Sequence, residues 1–198
     1  MMKPSFLGKK EKAEDTMQLI QDCIAGVQKA QYKLFREYYS DMMNVCLRYA
    51  GNREEAEDML NEGFVKIFQN LNKYTDQNTP RAWMKRVMAN AAIDYNRKYN
   101  SHRFEQVPYD DLNENDLYIS AEHAILHHLT RGELMDCIQA LPYMSRQVFN
   151  LYIFENYSHA DIAQMLNIKE GTSHWHLNHA RTLLKTALQK RGIIHSTY

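Results

Sequence analysis

The side chains best suited to binding chemistry lie late in the chain, in the stretch NIKEGTSHWHLNHARTLLK at residues 167–185. A helix would gather hydrogen-bond donors and an indole on one face, with no acidic residue after Glu170: Thr172, His174, Trp175, Asn178, His179, Arg181, Thr182 and Lys185. Such a face can donate to phosphates and reach base edges in a DNA major groove. The alternative is an ordinary solvated face, which would normally mix acids with bases.

The histidines of this stretch raise the question of a metal site. At about 100° per residue, His174 and His176 lie about 200° apart on a helix, and only His176 and His179 could share a face. The cysteines, Cys23, Cys46 and Cys137, are odd in number and too far apart for a CxxC metal motif, so we expect small apolar core residues. We predict no metal and no cofactor.

A second basic concentration lies within residues 81–103, where Asp94 and the basic side chains Arg81, Lys85, Arg86, Arg97, Lys98 and Arg103 are the charged residues. The aromatic residues Trp83, Tyr95 and Tyr99 are interleaved with them, and Tyr74 lies just upstream. Basic groups that follow a backbone, with aromatic rings available for stacking, suit single-stranded DNA. The alternative has Trp83 in the core and the basic residues as a solubilising surface.

Motifs for catalysis are missing from the sequence. Asp58 and Glu62 would share a helix face, but no ExxH motif and no second carboxylate helix accompany them. The sequence contains no Gly-rich phosphate loop, no GxSxG motif and no Cys/His pair at a recognisable spacing. We therefore predict a protein that is not an enzyme, without catalytic residues or a small-molecule substrate.

The elements that must position these side chains are helices. Gly and Pro number 7 and 4 among 198 residues, and apolar residues recur at spacings of three and four, which predicts an all-α fold. Residues 101–135 carry seven acids and two bases, whereas the flanking segments are net positive. We predict a flexible lead (1–14), a helical domain (15–100), an acidic linker (101–120) and a second helical domain (121–198).

The second domain has the pattern of a helix-turn-helix. Ser158 suits an N-cap of a short helix at residues 159–166, and Asn167 tolerates the left-handed conformation of a tight turn. In the next helix the predicted buried stripe is Ser173, Leu177, Ala180, Leu184 and Leu188.

Net charge argues against a molecule that is attracted to polyanions over its whole surface, and hydropathy argues against a membrane-spanning or secreted protein. The 24 basic and 24 acidic residues cancel, so any attraction to a polyanion must be local. The sequence has no long apolar run and no apolar core of a secretory signal near its start, so we expect a cytoplasmic protein.

Three long segments resemble one family. They are LFREYYSDMMNVCLRYAGNREEAEDMLNEGFVKIFQNLNKY, PRAWMKRVMANAAIDYNRK and ALPYMSRQVFNLYIFENYSHADIAQMLNIKEGTSHWHLNHARTLL, within residues 31–103 and 134–188. Their order and separation closely resemble the extracytoplasmic-function (ECF) group of bacterial sigma-70 factors. The resemblance implies a promoter-specificity subunit that directs core RNA polymerase and initiates transcription.

By this resemblance the first domain is sigma region 2. Its helix around residues 56–69 would dock on the clamp helices of the largest polymerase subunits, which assigns to polymerase binding, or to the core beneath it, Asp58, Asn61, Glu62, Phe64, Val65 and Phe68. The stretch from Lys73 to Lys98 would open the −10 element and hold an extruded base of the non-template strand. The −10 residues would be Lys73, Tyr74, Asp76, Gln77, Asn78, Arg81, Lys85, Arg86, Asn90, Arg97 and Lys98.

The second domain would be sigma region 4, which reads the duplex −35 element. Its reading positions would be Glu170, Gly171, Thr172, His174, Trp175, His176, His179, Arg181 and Lys185. The acidic linker would thread through the polymerase toward the RNA path. The family also implies an anti-sigma partner, which is often anchored in the membrane.

Two departures from the family pattern carry expectations. Lys169 stands at the expected N-cap where the family usually has Ser, which forfeits roughly 1 kcal/mol of capping, so we expect the helix to order fully only on DNA. Histidines stand where the family often has Arg or Lys, so we expect a shallow salt dependence. Protonation near their ordinary pKa of ~6.5 would then tighten duplex binding as the pH falls from 8 to 6.

Two other functions fit parts of the sequence. A helix-turn-helix regulator that binds duplex DNA alone would explain the second domain but not the basic, aromatic helix of the first. A helical adaptor that covers a partner and never touches DNA would tolerate Arg86→Glu, Arg97→Glu or Arg181→Glu.

Overall fold

The computed structural model describes residues 6–75, 79–100 and 130–191. Within these ranges the regular elements are helices, as predicted: α1 (Phe6–Ile24), α2 (Gln28–Tyr49), α3 (Arg53–Asn70), a 3-10 turn (Leu71–Lys73), α4 (Pro80–Tyr99), α5 (Arg131–Gln139), α6 (Tyr143–Ile153), α7 (His159–Leu166) and α8 (Glu170–Lys190). Helix α1 begins at Phe6, so the expected lead of residues 1–14 is helical from residue 6. The predicted acidic linker lies outside the described residues.

Helices α1 to α4 form the first domain around a shared apolar core. Gly26, at a positive φ of 79°, lies in the turn that separates α1 from α2. Asn52 caps α3 and Thr79 caps α4, each accepting a backbone N–H with its side chain. Because these polar residues cap the helices locally, the apolar faces of α2, α3 and α4 can pack closely.

Gly63 of α3 packs directly against the side chain of Met88 on α4. A Cβ on Gly63 would overlap the terminal sulfur and methyl of Met88, which is fully buried on α4. The absence of a side chain at this one position lets the two helices pack at the depth that brings Met84, Met88 and Ile93 into the core.

Helices α5 to α8 form the second domain. Thr130 and Glu133 make a capping box at the start of α5, and Ser158 and Asp161 make another at the start of α7. Asn167 adopts the left-handed conformation between α7 and α8, with φ 54° and ψ 49°. The predicted helix-turn-helix, its N-cap Ser158 and its turn residue are therefore confirmed.

The predicted core residues are largely buried. The five residues of the α8 stripe are buried, and so are the three cysteines, which are free thiols. Trp83 is only partly buried, with its ring 5.8 Å from that of Tyr74 in an edge-on contact. Within the part of the chain that is described, no helix has both the length and the apolar composition to cross a membrane.

The contact at Gly63 predicts an asymmetry between two glycines. Gly63→Ala should lower the free energy of unfolding by about 1–2 kcal/mol, because overpacking against Met88 outweighs the gain in helix propensity. Gly132→Ala is the matched control, since a Cβ there meets nothing within 4 Å, and it should be neutral or stabilising by up to ~1 kcal/mol. Urea unfolding followed by circular dichroism measures both; equal stabilities would contradict the close approach.

Candidate nucleic-acid interface

Helix α8 presents a polar face that its neighbours leave open. His174, Asn178, Thr182 and Lys185 are exposed on it, with Glu170 and Gly171 exposed at its first turn. Thr172, Trp175, His179 and Arg181 are partly buried along the edges of this face. Because no acidic side chain follows Glu170 on α8, the open face offers donors without a compensating negative charge.

His176 does not lie on this face. Its side chain is buried, and its Nδ1 is 3.1 Å from the hydroxyl of Ser145 on α6. The same hydroxyl lies 3.1 Å from Nδ1 of His179. His176, predicted to read DNA, is therefore absent from the exposed face in this structure: the ring packs between α6 and α8, within hydrogen-bond distance of Ser145.

The open face is supported by a column of stacked rings. The His174 ring stacks on His159 of α7 with centroids 3.6 Å apart, and His159 stacks on Tyr152 of α6 at 4.7 Å. The hydroxyl of Ser173 lies 2.9 Å from Nδ1 of His159. His174 therefore reaches the surface in a fixed orientation, on a support that the sequence analysis missed because its members come from three helices.

The environment of the histidines opposes their protonation. Burial lowers the pKa of His176 to about 4, with the neighbouring His179 adding to the effect. Burial also lowers the pKa of His159 to about 4, assisted by His174 and Arg181, and burial lowers the pKa of His179. His176 is thus neutral between pH 6 and 8, and burial disfavours the charged form of His179, which corrects the expectation that all three histidines of α8 gain charge there.

The basic side chains of α4 lie on its exposed or partly exposed surface. Arg81, Arg86, Asn90, Arg97 and Lys98 are exposed and Lys85 is partly buried; Lys73 is exposed and Tyr74 partly buried just before the helix. The predicted −10 residues Asp76, Gln77 and Asn78 lie outside the described residues. Arg81 is paired with Asp41 of α2, with Nε donating to the carboxylate at 2.6 Å.

Three of these α4 side chains are held by the second domain. The Tyr157 hydroxyl accepts a hydrogen bond from Arg86 Nε and donates one to Asn90 Oδ1, both at 3.0 Å. The guanidinium of Arg86 also lies over the Tyr157 ring, 4.7 Å from its centroid. Arg97 donates to the backbone carbonyl of Met165 at the end of α7. The basic face of α4 is thus partly engaged within the molecule.

A groove with a volume of about 380 Å³ runs along this contact. It is lined from α4 by Asn90, Ile93, Asp94 and Arg97, and from the second domain by Tyr157, Asp161, Gln164 and Met165. Both walls therefore present polar side chains. Among the described residues no group of three or more His, Cys, Asp or Glu side chains could hold a metal ion.

The candidate polymerase-binding residues of α3 divide between surface and core. Asp58, Asn61 and Val65 are exposed, and Glu62 and Phe68 are partly buried. Phe64 is buried, with its ring 4.6 Å from that of Phe35, so it belongs to the core beneath this surface. Asp58 and Glu62 accept hydrogen bonds from two α4 hydroxyls, those of Tyr95 and Tyr99, each at 3.2 Å.

Two family models match separate parts of the chain. The model of sigma-70 region 2 matches residues 34–102, and the model of sigma-70 region 4 matches residues 131–184. The first contains most of α2 and all of α3 and α4, and the second contains α5 to α7 and most of α8.

Similar proteins carry the names of sigma factors. ECF RNA polymerase sigma factor SigM of Bacillus subtilis is 28% identical over 162 residues, covering 81% of this chain and 96% of that protein. ECF RNA polymerase sigma factor SigL of Mycobacterium tuberculosis is 29% identical over 175 residues, covering 86% and 97%. The RNA polymerase sigma-H factor of Pseudomonas aeruginosa is 25% identical over 187 residues, covering 89% and 95%.

A solved structure is also similar, though distantly. It is that of CnrH in complex with the cytosolic domain of CnrY, with a TM-score of 0.42 and 19% identity, covering 87% of this chain and 96% of that chain.

The start of α8 generates a prediction about stability. Lys169 occupies the N-cap, as predicted, and makes no side-chain capping hydrogen bond. Lys169→Ser should raise the free energy of unfolding by about 1 kcal/mol, because a Ser hydroxyl can accept one of the unpaired N–H groups of the first turn. Lys190→Ser, at the other end of α8, is the control and should not stabilise. The urea midpoints of the two variants are compared. Equal midpoints would mean that a Ser hydroxyl at position 169 adds no capping hydrogen bond to the first turn.

The lowered pKa values generate a second prediction. Well above pH 6.5, His159 and His176 are neutral in both the folded and the unfolded chain. Folding then requires no loss of protons from these two rings. As the pH falls below 6.5 the unfolded chain binds protons that the folded chain rejects down to about pH 4. The free energy of unfolding should therefore fall between pH 7 and pH 5, by on the order of 1 kcal/mol for each histidine.

Denaturant unfolding at the two pH values measures this loss. His176→Asn retains a polar group that can bond Ser145 but cannot titrate, so its stability should fall less between pH 7 and pH 5. A wild-type stability that is unchanged or higher at pH 5 would contradict the buried, neutral state of these rings.

Proposed function

This chain belongs to the extracytoplasmic-function group of the sigma-70 family of RNA polymerase sigma factors, and from this membership we propose how its two domains divide the recognition of a promoter. The observation that carries the proposal is the pair of acid-poor faces, one on α4 and one on α8, which belong to the two matched regions in the expected order. Each face suits a different form of DNA.

Helix α8 is proposed to enter the major groove of the −35 duplex. An α-helix with its side chains fits the width of that groove, and the exposed face supplies His174, Asn178 and Lys185 as donors to bases and phosphates. The proposed contact set is Glu170, Gly171, Thr172, His174, Trp175, Asn178, His179, Arg181 and Lys185, without the buried His176. Because histidines stand where the family often has Arg or Lys, few counterions should be released at these positions, and the salt dependence should be shallow.

Helix α4 and the segment before it are proposed to bind the opened −10 element. A base can be read on its Watson–Crick edge only after it leaves the stack, and the enclosing contacts must offset a few kcal/mol of unstacking. The exposed Lys73, Arg86, Arg97 and Lys98 would follow the backbone of the strand, and Asn90 together with residues 76–78 would contact the extruded base. The aromatic rings of Tyr74 and Trp83, which contact each other edge-on, are proposed to stack on bases of this strand.

The exposed part of α3 is proposed to dock on the clamp helices of core RNA polymerase. Val65 is 55% exposed and offers an apolar side chain that a protein partner could cover. Asp58 and Asn61 supply a polar rim beside it. The bond-forming chemistry of transcription would belong to the core enzyme, and this chain would act in the cytoplasm with it. An anti-sigma protein, membrane-anchored in many members of the family, is the proposed regulator.

A stand-alone regulator of duplex DNA is not favoured, because it gives no role to the basic face of α4 or to the exposed apolar side chain of α3.

The test separates the two DNA roles from polymerase binding. Lys98→Glu and Lys185→Glu reverse exposed charges on α4 and α8, and each should lower run-off transcription by core polymerase at least tenfold while leaving co-elution with core polymerase intact, because each adds repulsion at a DNA phosphate. Val65→Arg should abolish co-elution. Lys33→Glu, at an exposed position of α2, is the matched charge reversal and should behave as wild type.

Run-off assays on a pool of genomic fragments supply the template. Transcripts that depend on the wild-type chain are required first. Full transcription by both Lys98→Glu and Lys185→Glu would exclude these faces as DNA contacts and would favour a role that never touches DNA.

A further inference from the structure

The second domain caps the C-terminal end of α2. The last carbonyl groups of a helix have no partner within it. Here three consecutive carbonyls accept from side-chain amides: Leu47 from Gln139 at 3.1 Å, Arg48 from Asn150 at 2.7 Å, and Tyr49 from Gln147 at 3.4 Å. The two domains are thus joined at a helix end, through groups that water can also satisfy.

A buried ion pair lies beside this cap. Arg48 donates to Glu155 at 2.7 Å, and their side chains are only 13% and 6% exposed. The guanidinium of Arg48 also lies 4.3 Å from the ring centroid of Phe154. Removing one member would leave the other charge buried and unpaired in the joined state, whereas separated domains would hydrate both groups.

The cap of α2, the Arg48–Glu155 pair and a third set of contacts make up the junction between the two domains. The third set covers the proposed −10 face. The hydroxyl of Tyr157 accepts a hydrogen bond from Arg86 and donates one to Asn90. The carbonyl of Met165 accepts one from Arg97. These are the groups that the proposed function assigns to single-stranded DNA. We propose that the free protein is closed on itself, with the helix-turn-helix domain docked as an intramolecular competitor on the −10 face and Tyr157 as its latch; the inference rests on the proposed function.

The dimensions of a promoter require the closed form to open. The −10 and −35 positions are about 25 base pairs apart, or about 85 Å along B-form DNA at ~3.4 Å per base pair. A compact chain of 198 residues has an expected radius of gyration of about 16 Å, or a diameter of about 42 Å as a sphere. Residues 101–129 could span up to about 100 Å if fully extended, so the connection between the domains is long enough.

The character of the junction makes opening feasible. Asn96, Gln147 and Asn150 are fully buried where the domains meet, and the buried hydroxyl of Tyr49 and the Oδ1 of Asn150 have no hydrogen-bond partner among the described residues. Polar groups of this kind gain water when an interface separates, which offsets part of the loss of contact. The junction therefore resembles a reversible interface more than a permanent core.

The test uses the full chain with the double substitution Tyr157→Phe, Glu155→Gln. The double substitution removes the hydroxyl of Tyr157. It also leaves the charge of Arg48 buried without a counter-charge, but only while the two domains are in contact. The control is Tyr32→Phe, Glu37→Gln, which makes the same chemical changes at two exposed positions of α2. Small-angle X-ray scattering measures the radius of gyration, and fluorescence anisotropy measures binding to a labelled pool of random single-stranded DNA 12-mers.

The wild type and the control should both be compact and bind the 12-mers weakly. The latch variant should have a radius of gyration larger by several ångströms and a Kd at least tenfold lower, with an unchanged helical circular dichroism signal. A wild type that is already extended, or a latch variant that matches the control in both readouts, would overturn the proposal.

Transcription with core polymerase distinguishes this failure from that of the proposed function. If the latch variant expands without binding the 12-mers more tightly, the inhibitory role is overturned, and factor-dependent transcripts from the wild type would still uphold the sigma-factor roles. If no variant supports transcription with core polymerase, the proposed function itself fails.

Discussion

Unpaired backbone groups at helix ends are the constraint on which the arrangement of this molecule depends. Every helix leaves N–H groups at its start and carbonyls at its end without internal partners. Asn52, Thr79, Thr130 and Ser158 satisfy the starts of α3, α4, α5 and α7 from within the same turn. At the end of α2, three carbonyls accept from side chains of the other domain, and Asn96 of α4 also donates to the last of them. This difference turns a local requirement into a long-range contact.

Buried polar side chains in the second domain also have hydrogen-bonding partners on neighbouring helices. The Ser145 hydroxyl lies within hydrogen-bond distance of His176 and His179, and the Ser173 hydroxyl lies within hydrogen-bond distance of His159. Each hydroxyl thus links an imidazole to a neighbouring helix. Burial disfavours the charged form of these rings and lowers the pKa of each. A recognition surface built in this way depends on orientation and hydrogen bonding more than on charge, which agrees with the balanced net charge of the chain.

Local pattern was enough to predict the helices, the helix-turn-helix, the cap at Ser158 and the left-handed turn at Asn167, because each depends on residues within one turn of the chain. His176 is assigned to DNA reading by the family resemblance alone, although it does not belong to the outward stripe of the helix that the sequence predicts. The ring lies on the Ser173 side of α8, and its burial depends on Ser145, 31 residues away. The engagement of Arg86 and Asn90 by Tyr157 is likewise beyond local pattern, since the partners are 71 and 67 residues apart.

The three buried cysteines bear on how signals can reach this protein. Burial raises the pKa of the Cys46 thiol to about 12 and also raises that of Cys23. Oxidants react with thiolates, and a protonated thiol inside a core is both unreactive and inaccessible. All three sulfurs are enclosed in this fold. The cysteines of the folded chain should therefore pass through oxidative stress chemically unchanged, so such a signal would not reach this protein through its thiols.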